Sequence, residues 1–135
     1  MRRLAWVLLC LILLTGCVWE LPDSDDAVPL RVTVLDVGQG LCVLVESRGE
    51  AMLYDGGGRA SSSYVVGYLK NHGVSELKLM VASHYDEDHI SGLSGVLNTC
   101  RVERVLRPDY QADSRTYSAF LSALEKNGAE TEFPQ

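Results

Sequence analysis

The chain is short of basic residues and of histidine, and it has no apolar run long enough for an ordinary membrane span. Its 12 Lys and Arg residues stand against 18 Asp and Glu residues, a formal charge of −6. This balance disfavours nucleic-acid binding through a basic face. It does not exclude a nucleic-acid substrate, because bound divalent ions would reverse the charge locally. All three histidines fall within residues 72–89, so histidine chemistry is confined to that stretch.

The main apolar run is Leu4–Leu14, which follows the basic Met1–Arg3 and is too short to span a membrane. It ends in Leu14-Thr15-Gly16-Cys17, which resembles the lipobox of bacterial lipoproteins. We therefore expect a signal peptide over residues 1–16 that is cut before Cys17. A lipid on Cys17 would anchor the exported protein in the cell-envelope membrane. An ordinary signal peptide or an N-terminal membrane anchor is the alternative.

Residues 17–29 predict an acidic tether, because Asp, Ser and Pro there leave too little apolar surface to fold. Residues 30–135 then form one domain. Without the leader, 10 basic residues stand against 18 acidic ones, a formal charge of −8. Export would permit a disulfide between Cys42 and Cys100. The strand pattern at Cys42 and the helix-end position of Cys100 favour two buried free thiols instead.

The order of elements indicates an α/β domain in which an antiparallel meander precedes alternating helices and strands. Asp113 is the expected N-cap of the last helix, and Gly73 and Gly128 are expected helix stops. A final strand is expected after Glu132. In chain order, the predicted elements are strands at 30–37, 41–46 and 51–55, a helix at 62–71, a strand at 77–82, a helix at 88–98, a strand at 102–106 and a helix at 114–127.

The chemistry concentrates in His84-Tyr85-Asp86-Glu87-Asp88-His89, between an apolar strand and a predicted helix. A strand end and a tight turn can aim four of these side chains, His84, Asp86, Asp88 and His89, into one small volume. Divalent ions would offset the repulsion between the carboxylates, and the helix N-terminus would orient them. A solvated acidic loop with Asp88 as a simple N-cap is the alternative, but four potential ligands at this spacing favour a metal site.

Three segments together resemble one known family, the metallo-β-lactamase superfamily. Ser83–Leu93 is similar to its His-x-His-x-Asp-His signature, with Asp86 where the second His usually stands. With Asp86 at this position, the segment resembles the corresponding pattern in the hydrolase-like domain of ComEC-type competence proteins. Val34–Gly40 resembles the opening strand and turn of that subgroup, and Leu53–Gly57 resembles its Asp-x-Gly motif.

The resemblance implies an αββα sandwich with a metal centre between two β/α halves. His84 and Asp86 would bind a first metal. Asp88 and His89 would bind a second, or Asp88 would act as the catalytic residue that orients a metal-bound water. Asp55 would hold the cluster by hydrogen bonds. The alternative is that Asp55 is only a turn residue at the end of a strand. The mixed histidine and carboxylate ligands admit Mn²⁺ beside Zn²⁺.

Two polar residues and one glycine turn are given no part in the chemistry. Asp36 and the Gly38/Gly40 turn are interpreted as structural, and His72 as a solvent-facing residue at a helix end.

The implied function is metal-dependent hydrolysis of a phosphodiester such as DNA, rather than of a β-lactam. However, no histidine follows His89, whereas the second half of the superfamily fold supplies further ligands. We therefore expect only the N-terminal half of the fold, active if a missing half or another copy completes the site. The alternative is a non-catalytic membrane-anchored lipoprotein with a truncated fold. A half domain would also expose an apolar sheet face and self-associate.

Overall fold

The computed structural model of the protein describes residues 30–134. The predicted signal peptide, the lipid acceptor Cys17 and the tether of residues 17–29 lie outside the described residues. Within residues 30–134, no helix combines the length and apolarity that crossing a membrane requires. The elements in chain order are β1 (Arg31–Val34), β2 (Val43–Ser47), β3 (Glu50–Tyr54), a 3-10 turn (Arg59–Ser61), α1 (Ser62–Asn71), β4 (Glu76–Val81), α2 (Glu87–Leu97), β5 (Arg101–Leu106), α3 (Arg115–Asn127) and β6 (Glu130–Glu132).

The strands form one sheet in the order β1-β2-β3-β4-β5-β6. The first three strands pair antiparallel, which confirms the predicted meander. A two-residue turn joins β2 to β3, and its residues Arg48 and Gly49 both have positive φ, 53° and 77°, as hairpins of this kind require. From β3 onward the strands pair parallel, because helices carry the chain back between them.

The core lies between one face of the sheet and the three α-helices. A cross-strand row of Leu44, Leu53, Met80 and Val105 is fully buried. The helices contribute further buried side chains, which include Val65, Leu69, Ile90, Leu93, Val96 and Phe120. Burial of this row against the helices is the main source of stability for the domain.

The opposite side of the sheet, here called the open face, is also apolar but retains solvent exposure. The strand register places five side chains in one row across β1 to β5, and each of them is exposed or partly exposed. They are Val34, Val43, Tyr54, Val81 and Leu106. The described residues therefore form one sheet with helices on one side. This is half of the predicted αββα sandwich.

Three boundary predictions were wrong, each for a local reason. The first strand ends at Val34 rather than Val37, because the Asp36 carboxylate accepts the Gly38 amide at 3.2 Å and bends the chain. The N-cap of α3 is Ser114, not Asp113, since the Ser114 side chain accepts from the Tyr117 amide. The last strand begins at Glu130, because Gly128 (φ 76°) turns the chain back to the sheet at once.

The two cysteines of the domain are buried free thiols, as the sequence favoured. Burial is the main cause that raises the pKa of Cys42 to about 12, and the negative charge of Asp55 adds to it. Cys42 is therefore protonated at neutral pH and packs as a small apolar side chain.

Candidate metal centre

The predicted site residues meet at one edge of the sheet, where β3 and β4 end side by side. These strands are parallel, with Tyr54 paired to Val81, so Asp55 and the Ser83–His84 segment leave the sheet together. Helix α2 begins at the same edge. The strand-to-helix connection carries Tyr85, which is buried and whose hydroxyl donates to the Pro108 carbonyl at 2.6 Å.

Tyr85 anchors this connection to the core. Burial is the largest influence on the pKa of the Tyr85 hydroxyl and raises it, so the group stays protonated and continues to donate. Because chain neighbours in an extended segment point to opposite sides, the buried Tyr85 directs His84 and Asp86 outward.

Asp55 is a fully buried carboxylate at the centre of the cluster. Its oxygens accept three hydrogen bonds: from the Ser83 amide at 2.9 Å, the Ser83 hydroxyl at 2.6 Å and His89 Nδ1 at 2.8 Å. Its backbone has φ 55°, a left-handed conformation that Asp adopts more readily than most residues. The carboxylate thus fixes the His89 ring and leaves its Nε2 free for another partner.

The two histidines of the cluster lie against each other with their ring planes tilted by 51°. The centroids of the His84 and His89 rings are 4.0 Å apart. His84 Nδ1 lies 2.8 Å from the Ser83 hydroxyl, and ligand atoms of Asp55, His84 and His89 all lie within 4.8 Å of one another. Among residues 30–134, these three side chains form the group of potential metal ligands that lies this close together, and it is called the compact group below. Asp55 is predicted to hold the cluster by hydrogen bonds. It accepts from His89 Nδ1, and one of its oxygens also belongs to the compact group.

Asp86 and Asp88 lie beside the compact group rather than in it. The Asp86 carboxylate is 3.4 Å from His84 Nε2, and an Asp88 oxygen is 4.0 Å from His89 Nε2. The predicted pairs, His84 with Asp86 and Asp88 with His89, are therefore adjacent in space. Asp86, not Asp88, is the N-cap of α2, and its side chain makes no capping bond, so the Asp86 carboxylate remains free to bind.

Glycines bring helix α2 against the loop that follows β3. The Gly56 amide donates to the His89 carbonyl at 2.8 Å, and the Gly92 amide donates to the Gly57 carbonyl at 3.0 Å. A Cβ on Gly92 would lie 1.8 Å from the Gly56 oxygen. Only glycine at this contact allows the helix that carries His89 to reach the sheet edge.

One contact beside the cluster is not predicted from the sequence. Gln39 Nε2 donates to the second oxygen of Asp88 at 3.2 Å, and a Cβ on Gly40 would lie 1.9 Å from the Asp88 carbonyl. The β1–β2 turn therefore touches the first turn of α2. Residues 39 and 88 are 49 apart in the chain, so no local pattern could have indicated the contact.

Asp36 and His72 do not belong to the compact group of Asp55, His84 and His89. Asp36 is exposed and accepts from the Gly38 amide. His72 is exposed at the end of α1, where it stacks on Tyr68 with ring centroids 3.9 Å apart.

The donor set suits a divalent ion. Imidazole nitrogens and carboxylate oxygens bind Zn²⁺ and Mn²⁺. A carboxylate that accepts from the far nitrogen of a histidine, as Asp55 does from His89, commonly supports metal-binding histidines. Two imidazoles with two carboxylates beside them therefore fit part of a metal site.

The fold and the cluster define a known class. Residues 35–130 match the metallo-beta-lactamase superfamily, and the chain belongs to that family. Membership implies a divalent metal site, and the Asp55, His84 and His89 group is a possible place for it.

Sequence relatives agree with the competence-type resemblance. Recombination protein 2 of Haemophilus influenzae is 32% identical over 98 residues, which cover 69% of this chain and 12% of that protein. Competence protein ComA of Neisseria gonorrhoeae is 38% identical over 86 residues, which cover 63% of this chain and 12% of that protein. The chain thus spans a small part of the length of these curated relatives.

A solved structure agrees with the partial fold. The metallo-beta-lactamase with the HARLDQ motif from Cronobacter sakazakii (Enterobacter sakazakii) aligns with a TM-score of 0.51 and 20% identity. The alignment covers 58% of this chain and 30% of that one. At this identity the likeness concerns the fold alone, and it confirms a partial metallo-β-lactamase fold.

Proposed function

We propose that the chain supplies part of a divalent-metal centre that hydrolyses phosphodiesters, with nucleic acid as the substrate, in competence-type DNA processing at the cell envelope. The observation that carries the proposal is the hydrogen bond from His89 Nδ1 to the buried Asp55. It orients His89 so that its Nε2 lies on the side of Asp88. The names of the relatives, which refer to competence and recombination, support DNA over a β-lactam.

The roles follow the pairs that lie adjacent in space. His84 and Asp86 would hold one ion. Asp88 and His89 would hold a second ion, or Asp88 would orient the attacking water. Zn²⁺ and Mn²⁺ both suit these ligands. A bound ion would supply a water of lowered pKa and stabilise charge on a phosphoryl oxygen.

The chain holds three histidines, and His72 lies outside the cluster. We therefore propose that further ligands come from outside the described residues or from a second copy. The chain alone would then bind metal weakly and turn over little substrate.

We also propose two interactions, one with a membrane and one with a second copy of the chain. A lipid on Cys17, with residues 17–29 as a tether, would hold the domain at a membrane surface. The open face would mediate self-association, because its apolar row extends across five strands and retains solvent exposure.

The metal centre is tested by titrating the chain with Mn²⁺ or Zn²⁺ in a calorimeter. We expect weak saturable binding that His84→Ala abolishes, because a ligand is lost. His72→Ala is the matched control and should bind as the wild type does, since that histidine is exposed and distant from the cluster. Equal binding by the wild type and His84→Ala would refute the centre.

Activity is tested with a fluorescent single-stranded oligonucleotide and the same ions. We expect little turnover from the chain alone. Saturable cleavage that His84→Ala removes would show that the chain needs no further ligands, contrary to the proposal. A folded chain that binds no metal would favour the non-catalytic lipoprotein instead.

A further inference from the structure

The β1–β2 turn reaches across the fold to one oxygen of Asp88. Gln39 Nε2 donates to Asp88 Oδ2 at 3.2 Å, whereas Asp88 Oδ1 lies 4.0 Å from His89 Nε2. The two carboxylate oxygens therefore have different surroundings. One is held by a neutral side-chain donor, and the other lies on the side of the histidine cluster.

The approach of the turn is enforced by its backbone. Gly40 has φ 111°, and a Cβ there would lie 1.9 Å from the Asp88 carbonyl. The next residue, Leu41, accepts from the Gly57 amide at 2.9 Å. The turn is thus fixed against both the first turn of α2 and the glycine loop after β3, which places the Gln39 amide beside Asp88.

We infer that Gln39 is a positioning residue for Asp88. It holds Oδ2, so that Asp88 presents Oδ1 alone to the ion. A carboxylate free to rotate could also present both oxygens, and it would lose more side-chain entropy on binding. This inference rests on the proposed metal centre. It assigns a role to a turn whose sequence suggested a structural one.

The test uses Co²⁺, whose visible absorption reports its coordination, and the whole 135-residue chain. Gln39→Met keeps the length of the side chain and removes the donor. We expect its dissociation constant for Co²⁺ to rise on the order of 10-fold, as for other residues that support metal ligands. The absorption spectrum should also change. Gln111→Met is the matched control, since Gln111 is exposed, and it should match the wild type.

Thermal unfolding separates positioning from a structural role. Gln39 is exposed, so the unfolding midpoint of Gln39→Met should stay near that of the wild type. Gln39→Ala, which also lacks the donor, should reproduce the loss of affinity. A lowered midpoint with unchanged affinity and spectrum would overturn the inference.

The two proposals fail differently. If the wild type binds Co²⁺, His84→Ala does not, and Gln39→Met binds as tightly as the wild type, only the role of Gln39 is overturned. If the wild type binds no Co²⁺, the metal centre and the role of Gln39 are overturned together.

Discussion

At the scale of single residues, Asp55 combines properties that are costly in isolation. It is a carboxylate with no solvent exposure, and its backbone is left-handed. A buried charge requires hydrogen bonds, and the Ser83 amide, the Ser83 hydroxyl and His89 Nδ1 provide them. Any replacement must therefore fit an unusual backbone and face three donors at once.

Asp55→Asn tests this arrangement, because Asn also tolerates the left-handed region. The Asn amide NH₂ would face at least one of the three donors and could not accept from it. We expect the free energy of unfolding to fall by about 1–3 kcal/mol, the cost of an unsatisfied buried polar group. Urea denaturation measures the change.

The control for Asp55→Asn is Asp36→Asn, since Asp36 is exposed and accepts one hydrogen bond in a turn. Its effect should stay within about 0.5 kcal/mol, as for most surface changes. Equal losses of unfolding free energy in the two variants would contradict the inference that the hydrogen bonds of Asp55 stabilise the fold.

At the scale of elements, the position of α2 depends on the contact between Gly56 and Gly92. The helix carries Asp88 and His89 in its first turn, and β3 leads into Asp55. Two backbone hydrogen bonds join the helix to the loop after β3. The position of His89 is therefore tied to that of Asp55, the carboxylate that orients it.

Two glycine-to-alanine variants test this packing. A Cβ on Gly92 would lie 1.8 Å from the Gly56 oxygen, whereas a Cβ on Gly67 in α1 meets nothing within 4 Å. We expect Gly92→Ala to destabilise the fold by about 1–3 kcal/mol through overpacking. Gly67→Ala should stabilise it by about 0.5–1 kcal/mol, the usual preference for Ala in a helix.

Denaturation curves of both glycine variants measure these changes. A Gly92→Ala protein as stable as the wild type would mean that the helix can shift away from the loop without cost.

Local signals also explain which elements could be predicted from the sequence. The helix at 62–71 has the predicted bounds, because its apolar spacing and Gly73 are both local. The strand-end Asp55 was recognised through its Asp-x-Gly motif. The contact of Gln39 with Asp88 depends on how distant loops pack, which no local pattern records. Ser114 and Asp113 are both good N-caps, so sequence could not choose between them.

At the scale of the whole molecule, the sheet has two unlike faces. One is covered by α1, α2 and α3, and the other carries an apolar row from Val34 on β1 to Leu106 on β5. Val34 and Val32 are 69% and 58% exposed, so the row is most accessible at the β1 edge. Such a surface favours association.

Val34→Lys tests the proposed self-association. A charge on the exposed end of the open face should weaken association, seen as a smaller rise of the sedimentation coefficient with concentration. Tyr64→Lys is the matched control, because Tyr64 is an exposed large side chain on α1, away from the sheet. Wild-type protein that sediments as a monomer at every concentration would argue against the proposal.

The backbone hydrogen bonds between α2 and the Gly56–Gly57 loop have a consequence for conformational entropy. Ordering a backbone residue costs about 1–2 kcal/mol, and here that cost is met when the sheet and helix pack. An ion would not have to order these residues, in contrast to small domains that fold only around their metal. The affinity of the site for an ion would then depend on the number and charge of the ligands. Each added ligand would tighten binding, and the backbone of the site would keep the conformation that it has without the ion.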